Sequence, residues 1–121
     1  MTGEQILIVE DDDETAAAVE AYLSLQGFTV ATAANGQEAI DRLRGGLRPS
    51  LILLDLYMPV KDGSAFRAEQ LADPELARIP VVVFSGGANL RDLAAGLGVP
   101  EYLAKPVDVD RLLLTVRRYC P

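Results

Sequence analysis

Four short apolar runs in this 121-residue chain each end on a polar residue capable of chemistry, and few folds accommodate that arrangement. Gln5-Ile6-Leu7-Ile8-Val9 leads into Glu10 and Asp11, and Leu51-Ile52-Leu53-Leu54 into Asp55. Val81-Val82-Val83-Phe84, introduced by Pro80, leads into Ser85, and Glu101 to Ala104 leads into Lys105. Runs this short, bounded by turn residues and acids, read as buried strands. A further strand covers Phe28 to Ala31. Helical patterns fall between them. Glu14 to Gln26 carries an apolar stripe of Ala16, Val19 and Leu23, with Gly27 as its stop. Asn35-Gly36-Gln37-Glu38 is a capping box that opens a helix ending near Gly45-Gly46. Ser64 to Leu71 is helical, followed by an irregular stretch through Asp73-Pro74. Asn89 to Leu97 is helical with Gly98 as terminator, and Asp108 or Asp110 caps a last helix reaching about Tyr119. Strand and helix alternate, and strands apolar on both faces belong to a parallel sheet covered by helices on two sides. With no repeat and no linker, residues 1–121 read as a single α/β domain.

In an open doubly wound sheet, ligands bind outside the carboxyl ends of the strands, where strand order reverses. The four segments therefore deliver an acidic cluster, a hydroxyl and an ammonium to one edge. Each has a plainer reading alone: acids favoured at a helix start, a loop aspartate, a Ser-Gly-Gly turn, a solvated lysine before Pro106. Their recurrence at four strand ends carries the signal. Three acids beside one lysine leave excess negative charge, which suits a hard cation such as Mg²⁺ (or Mn²⁺). The Glu10–Glu14 stretch lacks the glycine and closing glutamate of an EF-hand loop.

Composition removes several function classes. The chain has no histidine, so histidine acid–base catalysis and a phosphohistidine-carrier role are both excluded. Eleven basic against 18 acidic residues give a net charge of −7, which repels a nucleic-acid backbone. No apolar run approaches the ~20 residues of a membrane span. The opening Met1-Thr2-Gly3-Glu4-Gln5 is not basic, arguing against a signal peptide. A single cysteine, Cys120, forms no internal disulfide. The expectation is a cytoplasmic protein that binds neither membrane nor, directly, nucleic acid.

From about Gln5 to Arg118 the chain resembles the receiver domains of two-component response regulators. The matching stretches are Ile6-Leu7-Ile8-Val9-Glu10-Asp11-Asp12, Asp55-Leu56-Tyr57-Met58-Pro59-Val60-Lys61-Asp62-Gly63, Val83-Phe84-Ser85-Gly86 and Tyr102-Leu103-Ala104-Lys105-Pro106, in matching order and spacing. The resemblance implies a flavodoxin-like (βα)5 three-layer sandwich with strand order 2-1-3-4-5. It implies that Asp55 is the phosphoacceptor, fed by a sensor histidine kinase or a histidine phosphotransfer protein. Asp11, Asp55 and the Tyr57 backbone carbonyl would ligate Mg²⁺, with Glu10 acting through water. Ser85 and Lys105 would hold phosphoryl oxygens. Ser85 and Tyr102 would form the switch, remodelling the face of the fourth helix, last strand and last helix toward a downstream target or output domain. The Lys105-Pro106 peptide would be cis. Such a module catalyses its own phosphorylation and slow self-dephosphorylation without being a conventional enzyme. The resemblance leaves open a free-standing regulator that acts by docking and a piece of a larger protein.

Several positions depart from the commonest pattern. Glu10 stands where an aspartate is frequent, and Gly86-Gly87 make the loop after Ser85 unusually free. Tyr57, two residues beyond Asp55, is large enough to shade the phosphorus from water. Pro100 stiffens the approach to the last strand. Two other classes compete. A non-phosphorylated pseudo-receiver acting as a protein-interaction scaffold would not need the acids, Asp55, Ser85 and Lys105 together. A flavodoxin-like cofactor binder would need Ser, Thr or Gly after the first strand, where Glu10-Asp11-Asp12-Asp13 stands instead.

Overall fold

The computed structural model describes residues 5–121, so the non-basic opening Met1–Glu4 lies outside the described residues. Five strands alternate with five α-helices: β1 (Gln5–Val9), α1 (Asp13–Leu25), β2 (Thr29–Ala33), α2 (Gly36–Arg44), β3 (Leu51–Leu54), α3 (Gly63–Ala72), β4 (Val81–Ser85), α4 (Leu90–Gly96), β5 (Tyr102–Ala104) and α5 (Val109–Tyr119). A single 3-10 turn, Leu76–Arg78, occupies the irregular stretch before β4. All strand pairs are parallel and their order is β2-β1-β3-β4-β5, as the resemblance implied.

Alternation along each strand divides the core in two. Leu7, Val9, Ile52, Leu54, Val81 and Val83 point to the side where α2, α3 and α4 pack through Ile40, Leu43, Phe66, Leu90 and Ala94. Ile6, Ile8, Leu51, Leu53, Val82 and Phe84 point to the side of α1 and α5, meeting Val19, Leu23, Leu112 and Val116. Every residue of β3 is fully buried, so each of its side chains contributes roughly 1.5–3 kcal/mol of transfer free energy. A sheet sealed on both faces leaves its strand ends as the place where polar groups can meet.

The element boundaries depart from the sequence reading in a few places. β2 runs from Thr29 to Ala33, not Phe28 to Ala31, because pairing with β1 from Gln5↔Thr29 to Val9↔Ala33 sets its length. As an edge strand it is only half-buried, so no apolar run marks its end. β4 extends through Ser85, which pairs with Ala104. Of the two candidate caps for α5, Asp108 serves, accepting from Asp110 N–H at 2.9 Å. Asn35 accepts from Glu38 N–H at 2.9 Å, and Asp62 from Ala65 N–H at 2.8 Å. No helix among the described residues is long and apolar enough to cross a membrane.

Candidate functional site

Single backbone bonds carry the ladders past the strand ends, and they set the residues that bear chemistry. Glu10 N–H donates to Ala33 O at 3.0 Å, Asp55 N–H to Val9 O at 3.0 Å, and Lys105 N–H to Ser85 O at 2.9 Å. Each main chain is thus held by the neighbouring strand, so the side chains converge on one edge. The order reverses between β1 and β3, whose ends carry Glu10, Asp11 and Asp55.

Asp55 is 4% exposed and has three contacts. Ser85 Oγ–H donates to its Oδ1 at 2.8 Å, Tyr57 N–H to the same oxygen at 3.3 Å, and Lys105 Nζ stands 3.5 Å from Oδ2. Leu56 N–H points at Ser85 Oγ from 3.5 Å. Glu10, 3% exposed, bonds Lys105 Nζ through Oε1 and accepts from Asp12 N–H at 3.1 Å through Oε2. Burial pushes the Glu10 carboxyl above its ordinary value, against the opposing pull of Lys105 and the Asp12 N–H. Burial also works against the Lys105 ammonium, but the Glu10 bond and the charge of Asp55 outweigh it and raise its pKa. The Lys105-Pro106 peptide is cis. Among the described residues, no buried side-chain nitrogen or oxygen lacks a partner.

Glu10, Asp11 and Asp55 each offer a carboxylate oxygen, and the three oxygens lie within 4.8 Å of one another. Asp11 is exposed while the other two are buried, so the cluster opens to solvent on one side. An all-oxygen acidic set fits a hard divalent cation such as Mg²⁺ and suits soft metals poorly. The structure thus brings together Glu10, Asp11, Asp55, Ser85 and Lys105. Tyr57 follows directly, with its N–H on Asp55 and its side chain 58% exposed. Tyr102 stands apart from this cluster. It is half-buried against the α2–α3–α4 side of the core, beside a surface pocket of about 530 Å³ formed with Arg91, Ala95, Gly98, Val99 and Pro100. Tyr102 and Ser85 project from the same sheet face, since Val83 pairs with Tyr102 and Ser85 with Ala104.

Two contributors have no role in the sequence reading. A Cβ on Gly63 would stand 2.5 Å from Asp55 O and 2.8 Å from Leu56 Cα, so only glycine lets α3 start against the backbone of the aspartate. Its place after Asp62, the cap of α3, was the available signal. Phe84 lies beneath Lys105, with Nζ 5.1 Å from the ring centroid, a cation–π contact that steadies the ammonium. Its buried position in β4 concealed that contact.

Comparison with known proteins agrees with this geometry. The family model described as response regulator receiver domain matches residues 6–117. The chain is 39% identical over 120 residues to the transcriptional regulatory protein PrrA of Mycobacterium tuberculosis, covering 97% of this chain and 50% of that protein. It thus spans about half the length of that relative. Among solved structures, a response regulator receiver protein from Pseudomonas putida superposes with a TM-score of 0.88 at 28% identity, over 98% of both chains. The receiver domain of a sensor histidine kinase from Pseudomonas aeruginosa PAO1 gives 0.87 at 31% identity, again over 98% of both. That protein was solved with a magnesium ion coordinated in its active-site cleft.

Proposed function

The chain belongs to the response regulator receiver domains of two-component systems, and from that premise we propose that it is a phosphorylation-dependent switch with Asp55 as phosphoacceptor. The donor is a phosphohistidine of a sensor histidine kinase or histidine phosphotransfer protein. One observation carries the reading: a nearly buried carboxylate at a strand end, held by a hydroxyl and faced by an ammonium and two further acids.

A carboxylate is ionised at neutral pH and needs no general base to attack. An Asp55 oxygen forms the new P–O bond while the P–N bond to the donor imidazole breaks, its electron pair leaving with the imidazole nitrogen. Such transfer is mostly positioning and charge stabilisation. Asp55 is positioned by Ser85 and by the Tyr57 N–H. Lys105 leaves its contacts with Glu10 and Asp55 to neutralise a phosphoryl oxygen, and Ser85 turns its hydroxyl from Asp55 to another. Asp11, Asp55 and the Tyr57 carbonyl would hold Mg²⁺ directly, and Glu10 through water. The ion, when bound, supplies the charge neutralisation that lets an acidic pocket accept a phosphoryl group.

Movement of Ser85 toward the phosphoryl group opens space on the sheet face it shares with Tyr102. Tyr102 turns inward and the face of α4, β5 and α5 is remodelled for a downstream protein or output domain. Incubation with acetyl phosphate and Mg²⁺ tests the assignment. The intact mass should rise by one phosphoryl group in the wild type and stay unchanged in Asp55→Asn. Equal labelling of the variant would move the phosphoacceptor elsewhere. Absence of labelling in the wild type would favour the scaffold reading.

A further inference from the structure

The two ends of α4, the shortest of the α-helices, are held in different ways. At its C-terminal end, Arg67 of α3 reaches across and donates Nε–H to Leu97 O at 3.0 Å and Nη2–H to Gly98 O at 3.2 Å. The same guanidinium donates Nη1–H to Gln70 Oε1 at 2.8 Å. Gln70 is fully buried, and its amide donates to Leu76 O and Ile79 O, both at 3.0 Å. One network therefore ties α3, the turn after α4 and the segment entering β4. Arg67 has no acidic partner among the ion pairs of the described residues, so its charge is directed to the carbonyl end of α4, where a cation is favoured. Four carbonyls and a buried amide depend on two side chains, and removing either leaves polar groups unpaired.

The N-terminal end has no comparable fastening. Asn89, the N-cap, sits at φ 60° and makes no side-chain capping bond. Gly86 has open space where a side chain would stand, and Gly87, at φ 97°, has only the ring of Tyr57 near it. Between this loop and the fastened end, α4 is buried through Leu90 and Ala94.

We propose that Arg67, braced by Gln70, is the pivot of the conformational switch. Resting on the reading of Ser85 as the moving group, it confines the flexing of the backbone to the Gly86–Leu90 loop, so that α4 turns as a unit about a fixed C-terminal end. The pocket beside Tyr102 gives that motion a readout. Arg91 and Ala95 form a wall carried by α4, whereas Gly98, Val99 and Pro100 form a wall beside the pinned turn. Rotation about the pivot changes the width of the pocket without moving its far side. Arg67 touches no reacting group and is a positioning residue.

Amide hydrogen exchange on the full chain tests this in two arms. In the resting state, Arg67→Met should speed exchange at Leu97, Gly98 and Val99 by about tenfold or more, because two charge-assisted bonds are lost. Exchange at Ile8 and Leu53 should be unchanged, and Arg67→Lys should not rescue, since an ammonium lacks the fork that spans two carbonyls. In the second arm, Mg²⁺ and beryllium fluoride are added as the phosphoryl mimic. Wild-type changes should concentrate in residues 86–93 and spare 97–99, whereas in Arg67→Met they should spread through 97–99. Equal change along the whole segment in the wild type would overturn the pivot, as would a wild-type pattern in the variant. Should Arg67→Met fail to fold, the wild-type pattern decides, with Gln70→Met as the second variant expected to loosen the same turn. A wild type that neither responds to the mimic nor gains phosphoryl mass would instead overturn the function proposed above, leaving the resting-state arm to decide the pin.

Discussion

With Asp55 as the proposed phosphoacceptor, the lifetime of its phosphoryl group would depend on what lines the path of water to the phosphorus. The bare loop and the large aromatic expected there prove to be neighbours. A Cβ on Gly87 would lie 3.7 Å from Tyr57 Cε2 and 3.8 Å from its hydroxyl. The ring thus lies along the glycine, although its outer part is exposed. With no polar side chain at Gly87 to orient water, we expect slow hydrolysis, and Tyr57→Asn should shorten the half-life after donor removal. Adding Gly87→Glu would confound that measurement, because φ 97° strains any L side chain. Unchanged or slower decay in Tyr57→Asn would remove the ring from the account. The acids at this site should also differ in weight. Asp11→Ala should weaken Mg²⁺ binding more than the roughly tenfold or greater loss expected when a supporting contact such as Glu10 is truncated. Glu10 is buried and engaged with Lys105, whereas Asp11 is exposed on the open side of the cluster. Titrations with the opposite order would reverse the ligand assignment.

Among the elements, α1 shows how a cap beside the site responds to pH. Asp12 accepts from Thr15 Oγ–H and, at 3.2 Å, from Thr15 N–H, and these bonds hold its carboxyl below the ordinary 3.8. The folded protein therefore binds this proton less readily than the unfolded chain. The contribution of the cap is complete above pH 3.8 and is lost as pH falls through the lower folded value. In urea unfolding, the gap between wild type and Asp12→Ala should be full at neutral pH and close on acidification. A gap independent of pH would show that the carboxylate charge is not what caps the helix.

For the molecule as a whole, an acidic pocket that gathers three carboxylates should couple cation binding to global stability. Mg²⁺ that binds only the folded state adds stability by mass action, about 2.7 kcal/mol at a hundredfold excess over Kd, which is several degrees in Tm. Calorimetry with and without millimolar Mg²⁺ should show that rise, and no shift would count against a metal site. The alternation of strands and helices and the carboxyl-end positions of Glu10, Asp11, Asp55, Ser85 and Lys105 were legible in the chain itself. Both rest on local pattern: a buried strand reads as a short apolar run, and its end is marked by the first polar residue. The boundaries of β2 were not legible, since partner pairing rather than burial sets the length of an edge strand. Nor were the Lys105–Glu10 pair, joined across 95 residues, the packing of Gly63 on the backbone of Asp55, and the Arg67–Gln70 network. Arg67 and Gln70 read as ordinary polar residues of an amphipathic helix. Only the docking of α3 against the end of α4 gives Arg67 its carbonyls, and only the fold of Leu76–Ile79 back onto α3 gives Gln70 its own, because a hydrogen bond needs its partner within about 3 Å and that distance is decided by packing.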